Sequence, residues 1–559
     1  MGAVREESRK ASTATASDRR IIVSIDFGTT YSGVAWAESS RPDVQHVVSN
    51  WPSNDGSFQS SLKVPTELRK VAAGWQWGFQ IPEAAKRSRF FKLKLDDPDS
   101  SSRSRDGESP EELTRIYLSC LHTHFKSVLE KRLSTSVVKS TPMDYVVTVP
   151  AIWTNKAKQA TERAAAMAGF CGNKRIMLIS EPEAAALYTL KNLSPSTLQK
   201  GRKFVVCDAG GGTVDLITYQ VMKTDKLEVR EVTEGTGGRC GSSMLNKRFR
   251  RHLKQLHGDK YWTDDRLVLA LNEFETYKKS FDPRGEPLTL KVDPSLGLKR
   301  DRFTMPQEEM RSKIFEPIMR DIINLIQEQI SMAGENVAAV VLVGGFGQSR
   351  FLKLRLRDAV PVQCKVLQPE DGWAAVVKGA AIHGLGQHRP SLSSIEVASR
   401  VARRSYGTCL MAKYDQLRHN PSEAFWSEKE EEMVCAEMCW FIKKGESYPE
   451  NKPSTIDFQC DIPVGHGHEP QTEIEIFCND ESKAPIHVDP STRCVAILYL
   501  DLAKIPNAVK QQSGTQRMGY HRYYSVSGVI EAHYESAMIT YTVKLGGVTH
   551  DVINVRYEP

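Results

Sequence analysis

The chain has 559 residues, a length that favours two or more domains. Its composition is that of a soluble globular protein, and a net charge of +7 without a dense Lys/Arg run gives no electrostatic case for binding nucleic acid or membrane. The longest apolar runs, such as Val337 to Val343, are far too short to span a bilayer. Residues 1–20 are polar and lack an apolar signal core, and Glu6 breaks the myristoylation pattern that Met1-Gly2 begins. The eleven cysteines are scattered; Cys435 and Cys439 have helical spacing without a matching Cys/His pair. Reduced thiols in a cytoplasmic or nuclear protein are the expectation.

In chain order, residues 1–19 read as a disordered tail rich in Ser, Ala, Thr and charge. Ile21 to Trp36, IIVSIDFGTTYSGVAW, reads as a β-hairpin. An apolar run ends in Asp26, and a small-residue turn (Gly28, Thr29, Thr30, then Tyr31) leads into a second run. Such a turn exposes successive N–H groups and hydroxyls that hold phosphate, and Asp26 at the strand end suits a water-bridged Mg²⁺. An ordinary turn is the plainer alternative. In the stretch Arg87 to Leu95, Lys92 or Lys94 is a candidate for reaching a phosphate, against a solvated charged strand. Residues 96–112 read as an exposed loop, and Glu111 to Arg132 as a helix.

Asp144 to Pro150 reads as a strand, Thr154 to Gly169 as an Ala-rich helix, and Arg175 to Ile179 as a buried strand. Ser180-Glu-Pro-Glu183 matches a capping box before the helix Ala184 to Leu190, which sets Glu181 at a strand-to-helix corner. There it is either a catalytic carboxylate or a complement to the helix dipole. Lys203 to Val221, KFVVCDAGGGTVDLITYQV, repeats the first hairpin: strand, Asp208, Gly210, Gly211, Gly212, Thr213, strand. Two such loops facing each other would clamp a triphosphate.

Thr233 to Met244 is a glycine-rich loop before a helix (Leu245 to Leu256). A second helix, Leu267 to Phe281, carries Glu275, Lys278 and Lys279, with Glu275 and Lys279 spaced as a surface ion pair. Met305 to Met332 reads as helical. In Val337 to Arg350 a buried strand meets Gly344-Gly345, a pair that lets a nucleotide lie close to the backbone. Trp373 to His383 reads as a closing helix. Residues 386–400 read as a linker and 401–559 as a β-rich domain. Its candidate strands are Thr455–Val464, Gln471–Cys478, Arg493–Leu502, Tyr520–Tyr534, Met538–Leu545 and Val548–Tyr557, with Gly546-Gly547 as a tight hairpin.

The motifs IDFGTTYSGVAW, VVTVPAIWTNKAKQAT, ISEPEAAAL, CDAGGGTVDL, VLVGGFGQSRFL and KGAA together resemble the ATPase domain of the seventy-kilodalton heat-shock protein family, over roughly residues 20–385. The chain looks closest to a divergent branch without the standard C-terminal lid. The resemblance implies an α/β, two-lobed, actin-like (ribonuclease H-like) domain with ATP or ADP and Mg²⁺ in its cleft, followed by the β-rich domain. It implies that Asp26 and Asp208 organise the Mg²⁺ shell through water. Gly28 to Tyr31 and Gly210 to Thr213 would cradle the β- and γ-phosphates. Glu181 would position the attacking water, Thr213 would touch the γ-phosphate, and Lys92, with Lys94 as fallback, would be the phosphate lysine. Gly241, Ser242, Glu275, Lys278, Lys279, Gly344, Gly345, Phe346 and Gln348 match nucleotide-binding positions. Pro150 matches an interdomain-switch proline, and Lys158 stands where that switch has an arginine.

The departures are specific. Two arginines sandwich adenine in the family, where this chain has Lys279 and Gln348; Ser242 replaces a ribose-contacting acid, and Asp282 stands where the helix motif ends in serine. Weaker and less adenine-selective binding follows. The family's acidic, leucine-rich linker is not visible between 386 and 400, and the lid has no room. The expected function is a slowly hydrolysing, chaperone-like ATPase whose nucleotide state gates a C-terminal β-domain that binds a polypeptide client or regulatory protein. The alternative is a nucleotide-sensing scaffold with little or no hydrolysis. A sugar kinase of the same superfamily ranks third, without a recognisable sugar site.

Overall fold

The computed structural model describes residues 19–83, 85–97, 107–172, 175–194, 196–292, 294–427, 430–450, 452–463, 471–501, 511–514, 522–549 and 553–557. Residues 1–18 of the expected tail and 98–106 of the expected loop lie outside this set, as do the expected strand ends at Val464, Leu502 and Tyr520.

Two sheets built on one plan carry the N-terminal part. In the first, the strands run Met177–Ser180, Met143–Val149, Ile21–Asp26, Tyr31–Glu38, His46–Val47, with Val64–Pro65 also paired to Tyr31–Glu38. In the second they run Lys365–Leu367, Val337–Val343, Lys203–Ala209, Val214–Lys223, Leu227–Glu231, Ile395–Val401, Ser447–Pro449. Each sheet is centred on an antiparallel hairpin flanked by a parallel strand, so the sequence repeat is a structural repeat. Both Ile21–Asp26 and Lys203–Ala209 are buried on both faces, which explains their near-continuous apolar runs.

The helices Glu181–Lys191 and Ala375–His388 lie between the sheets. Ala184 to Leu187, Ala375 and Ala380 share one apolar cluster with Ile22 and Val146 of the first sheet and Val206 and Ile217 of the second. The helices touch closely because Gly379 has no side chain: a Cβ there would lie 1.6 Å from the Ala184 carbonyl oxygen. Outside the first sheet lie Pro110–Leu133, whose N-cap Ser109 accepts from the Glu112 N–H, and Asn155–Met167, capped in the same way by Thr154. Glu316–Ala333, entered through a π-helical turn, Met310–Phe315, packs on the second sheet, and Ser243–His257 and Asp264–Ser280 extend the same apolar cluster beyond it.

Three local expectations are corrected. Ser180 does stand at the helix N-cap, but its side chain makes no cap bond, and the reciprocal half of the box is missing too, since the Glu183 carboxylate turns to Arg400 and the Ser180 N–H donates to Ser536 Oγ. The stretch around Lys92 is a short strand, Ser88–Arg89, and a 3₁₀-helix, Lys92–Asp96, rather than one charged strand. Cys435 and Cys439 lie on a strand, Glu432–Ile442, so their spacing is not helical.

The stretch 386–400 finishes the helix at His388, makes one 3₁₀ turn and enters the strand Ile395–Val401, parallel to Leu227–Glu231. Beyond it, two antiparallel sheets face each other. One runs Phe425–Ser427, Glu432–Ile442, Ser405–Lys413, Gln471–Asn479, Arg493–Asp501, Ile553–Tyr557; the other is Ser454–Pro463, Arg522–Tyr534, Ile539–Leu545, Val548–Thr549, with Gln511–Gly514 on Arg522–Tyr534. Tyr406, Ile442 and Leu498 of the first meet Phe458, Ile530 and Val543 of the second in a common core. The expected last strand, Val548–Tyr557, is split: its first residues close the Gly546-Gly547 hairpin, where both glycines have positive φ, and Ile553–Tyr557 crosses to the other sheet.

Candidate functional site: a cleft between two carboxylate-tipped hairpins

The two hairpin turns meet at the mouth of the gap between the sheets. A Cβ on Gly211 would come within 2.1 Å of Thr30 Oγ1, and one on Gly212 within 2.6 Å of Thr29 Oγ1. Bare glycine is what allows this approach. The second loop is braced from behind: the N–H groups of Gly241, Ser242 and Ser243 donate to the carbonyls of Gly212, Gly210 and Gly211 at 3.2, 3.1 and 2.8 Å. The first is braced by Thr66, whose N–H donates to Thr30 O and whose hydroxyl donates to Gly28 O, both at 2.8 Å.

Above the loops opens a cavity of about 630 Å³. Its wall includes Asp26, Gly28 to Tyr31, Glu181, Asp208, Gly210 to Thr213, Ser242, Glu275, Lys278, Lys279, Gly344, Gly345, Phe346 and Gln348. Two of the sequence-derived residues stand outside that wall. Gly241 lies behind the second loop, where a Cβ would be 2.6 Å from the Gly212 carbonyl carbon. Lys92 is buried beneath, and its Nζ lies 2.5 Å from Glu181 Oε1. Lys94, the fallback, is half-buried on the same 3₁₀-helix and does not line the cavity. Glu275 pairs with Lys278 at 2.7 Å rather than with Lys279, and Lys278 also donates to Asn246 Oδ1 at 3.0 Å.

The electrostatics are those of crowded, buried acids. Burial pushes the Glu181 carboxyl up to about 7; Lys92 opposes the rise, and Asp215 and Asp26 add to it. Asp208 is held well above the usual carboxylate range by burial, then by Glu181 and Asp26. Burial likewise raises Asp215, which faces Asp208 across the second hairpin. Asp215 Oδ1 accepts from the Ala151 N–H at 3.2 Å, and its buried Oδ2 has no hydrogen-bond partner among the described residues.

Several wall residues carry no local sequence signal. Lys63 Nζ lies 2.5 Å from Asp26 Oδ2, brought there by the two-residue strand Val64–Pro65. Trp373 stands against Gly345 and meets the Tyr31 ring edge-on at 5.7 Å. Arg87 and Arg89 also line the wall, tied to Glu67. Asp215 was within reach of sequence reading, since it lies two residues beyond Thr213 on the strand facing Asp208.

The residues fit a nucleotide with a hard divalent cation. Hard carboxylate oxygens suit Mg²⁺, and the glycine turns leave backbone N–H groups open to phosphate. At Gly344, φ is +78° and a Cβ would lie 2.3 Å from Asp208 Oδ1, so the backbone lies hard against the carboxylate in a conformation that favours glycine.

Comparison with known proteins agrees. The family profile described as Hsp70 protein matches residues 104–386, a little over half of the chain. The chain is 25% identical over 515 residues to heat shock 70 kDa protein 12A of Homo sapiens, covering 72% of this chain and 74% of the relative. It is 23% identical over 514 residues to heat shock 70 kDa protein 12B of Homo sapiens, with 72% and 73% covered. With the chaperone protein HscA homolog of Rickettsia peacockii (strain Rustic) it shares 26% over 392 residues, 68% of this chain and 59% of that one. Motifs, paired hairpins and profile converge on one assignment: this chain is a divergent member of the Hsp70 family, with that family's actin-like ATPase domain followed by a β-rich C-terminal region.

Proposed function

We propose that this cleft binds ATP with Mg²⁺ and hydrolyses it slowly, and that nucleotide state governs how the C-terminal β-sandwich engages polypeptide. The observation that carries the reading is the meeting of two carboxylate-tipped glycine loops beside a buried Lys92–Glu181 pair. Phosphoryl transfer to water needs in-line positioning and charge neutralisation rather than a covalent intermediate. Glu181 orients the water, Lys92 holds that carboxylate and offers positive charge, and the N–H groups of both loops with Thr213 hold the phosphates. Asp208, and Asp26 where its bond to Lys63 gives way, would hold Mg²⁺ through waters, and the ion would supply further neutralisation.

Support for coupling comes from the seam between ATPase domain and sandwich. Arg400, on the strand Ile395–Val401, grips Glu183 with two bonds of 3.0 and 2.7 Å, both side chains buried. Glu183 lies two residues beyond Glu181 on the same helix. The Ser180 N–H donates to Ser536 Oγ at 3.1 Å, and the Arg403 N–H donates to Tyr534 Oη at 3.1 Å. Lys158, its ammonium lowered to about 7 by burial and by Arg403 and Arg404, faces the same seam. Support for polypeptide binding comes from Phe425 and Trp426, exposed on the edge strand Phe425–Ser427. An extended segment adds to such an edge through main-chain bonds.

The test is the affinity of the full chain for an extended apolar peptide, read by fluorescence anisotropy with ATP and with ADP. Coupling predicts affinities separated by about 1–3 kcal/mol. Equal affinities would leave the sensor or scaffold reading, which the Lys279 and Gln348 substitutions in the cavity wall favour.

A further inference from the structure

The cavity wall holds an ammonium to which the proposed function gives no role. Lys63 Nζ lies 2.5 Å from Asp26 Oδ2, and the two side chains are 8% and 5% exposed. The placement is built in. Val64–Pro65 pairs with Tyr31–Glu38 in the register Ser32 to Val64, so Lys63 follows the first loop into the cleft. Gly33 stands opposite Asp26 across the hairpin and leaves room for the lysine stem, since a Cβ there would be 3.3 Å from Lys63 Cγ. Ser61 Oγ donates to the Lys63 carbonyl at 2.7 Å, which fixes the backbone beneath. The other Asp26 oxygen faces Thr148 Oγ1 at 3.4 Å.

We propose that Lys63 is a fixed counter-cation of the first phosphate loop: by neutralising Asp26 it lets the cleft hold a nucleoside diphosphate or triphosphate with weak dependence on divalent metal. The inference rests on the nucleotide reading above. An Asp26 oxygen engaged by an ammonium is not free to accept from a metal-bound water, so a divalent cation at this carboxylate competes with Lys63. Around the two loops the wall presents the carboxyls of Asp26, Glu181 and Asp208 to an anionic ligand, a combination that needs positive charge at those carboxyls as well as from Arg87, Arg89, Lys278 and Lys279 elsewhere in the wall. Lys92 supplies it at Glu181 and Lys63 at Asp26. A lysine acts on phosphate as a point charge and needs no bidentate geometry. Lys63 works through Asp26 and the loop it flanks, which makes it a positioning residue.

The experiment is calorimetric titration of the full chain with ADP, in excess Mg²⁺ and in excess EDTA, for the natural protein, Lys63→Met and Lys63→Arg. The readout is the ratio of the two dissociation constants, which a purely structural role for Lys63 would not move. The natural protein is expected to lose less than about tenfold on metal removal (1.4 kcal/mol). Lys63→Met is expected to lose at least about tenfold more, and Lys63→Arg to keep the shallow dependence. Equal ratios for the natural protein and Lys63→Met overturn the inference and leave the nucleotide reading intact. Should Lys63→Met fail to fold, the natural protein decides alone: loss of all ADP binding in EDTA overturns the inference. Absence of ADP binding in every condition overturns both the inference and the nucleotide reading.

Discussion

Glu181 sits between opposing influences. Burial raises its pKa to about 7, the Lys92 ammonium pulls the other way, and Asp215 and Asp26 push it up again. A water-positioning carboxylate works in its ionised form. Hydrolysis in a single turnover is therefore expected to rise as pH passes through about 7 and to level off above it. Glu181→Gln should lower the plateau by about two orders of magnitude and remove the step, as a pH–rate series on both proteins would read. Base selectivity is also decided by single residues. Lys279 and Gln348 line the cavity where the family resemblance leads one to expect two stacking arginines. ATP and GTP should then bind within about tenfold of each other, and tight ATP binding without GTP binding in a calorimetric titration would contradict this. Asp26 and Asp208 were legible in sequence because each ends an apolar run at a small-residue turn. Lys63 was not, because its position depends on a two-residue strand with no periodicity to read.

At the scale of elements, the hairpins and their flanking helices follow from local pattern, whereas the elements that join the ATPase domain to the sandwich do not. Ser180 and Glu183 have the spacing of a capping box, yet Glu183 is taken by an arginine far along the chain. Only the assembled fold brings that arginine near. The strand Ile395–Val401 was hidden for a related reason: it pairs with Leu227–Glu231 and Ser447–Pro449, both far away in sequence, and the stretch HRPSLSS before it looks like tether. The buried Arg400–Glu183 pair gives a stability prediction. Arg400→Met leaves Glu183 as an uncompensated buried charge and should cost about 3–5 kcal/mol, read from the urea unfolding midpoint. Adding Glu183→Gln should recover much of that loss. A single variant with unchanged stability would mean that the pair contributes little to the seam.

The whole molecule joins a duplicated α/β cleft to a β-sandwich through two strands of the second sheet, Ile395–Val401 and Ser447–Pro449, and a buried, charged seam. Glu231 belongs to that seam: Val401 N–H donates to its Oε2 at 3.3 Å, and burial raises its carboxyl to about 7. Charged seams of this kind are costly to desolvate, so each buried charge depends on its partner being in place. Among the described residues no helix is long and apolar enough to cross a membrane. The cleft's chemistry is the central claim, because gating, peptide engagement and the role of Lys63 all presuppose it. Single-turnover hydrolysis of ATP with Mg²⁺ by the full chain, beside Asp208→Asn and Glu181→Ala, tests it most directly. The account predicts slow hydrolysis by the natural protein and a loss of about two orders of magnitude or more in each variant. Hydrolysis by the natural protein no faster than by either variant would contradict it.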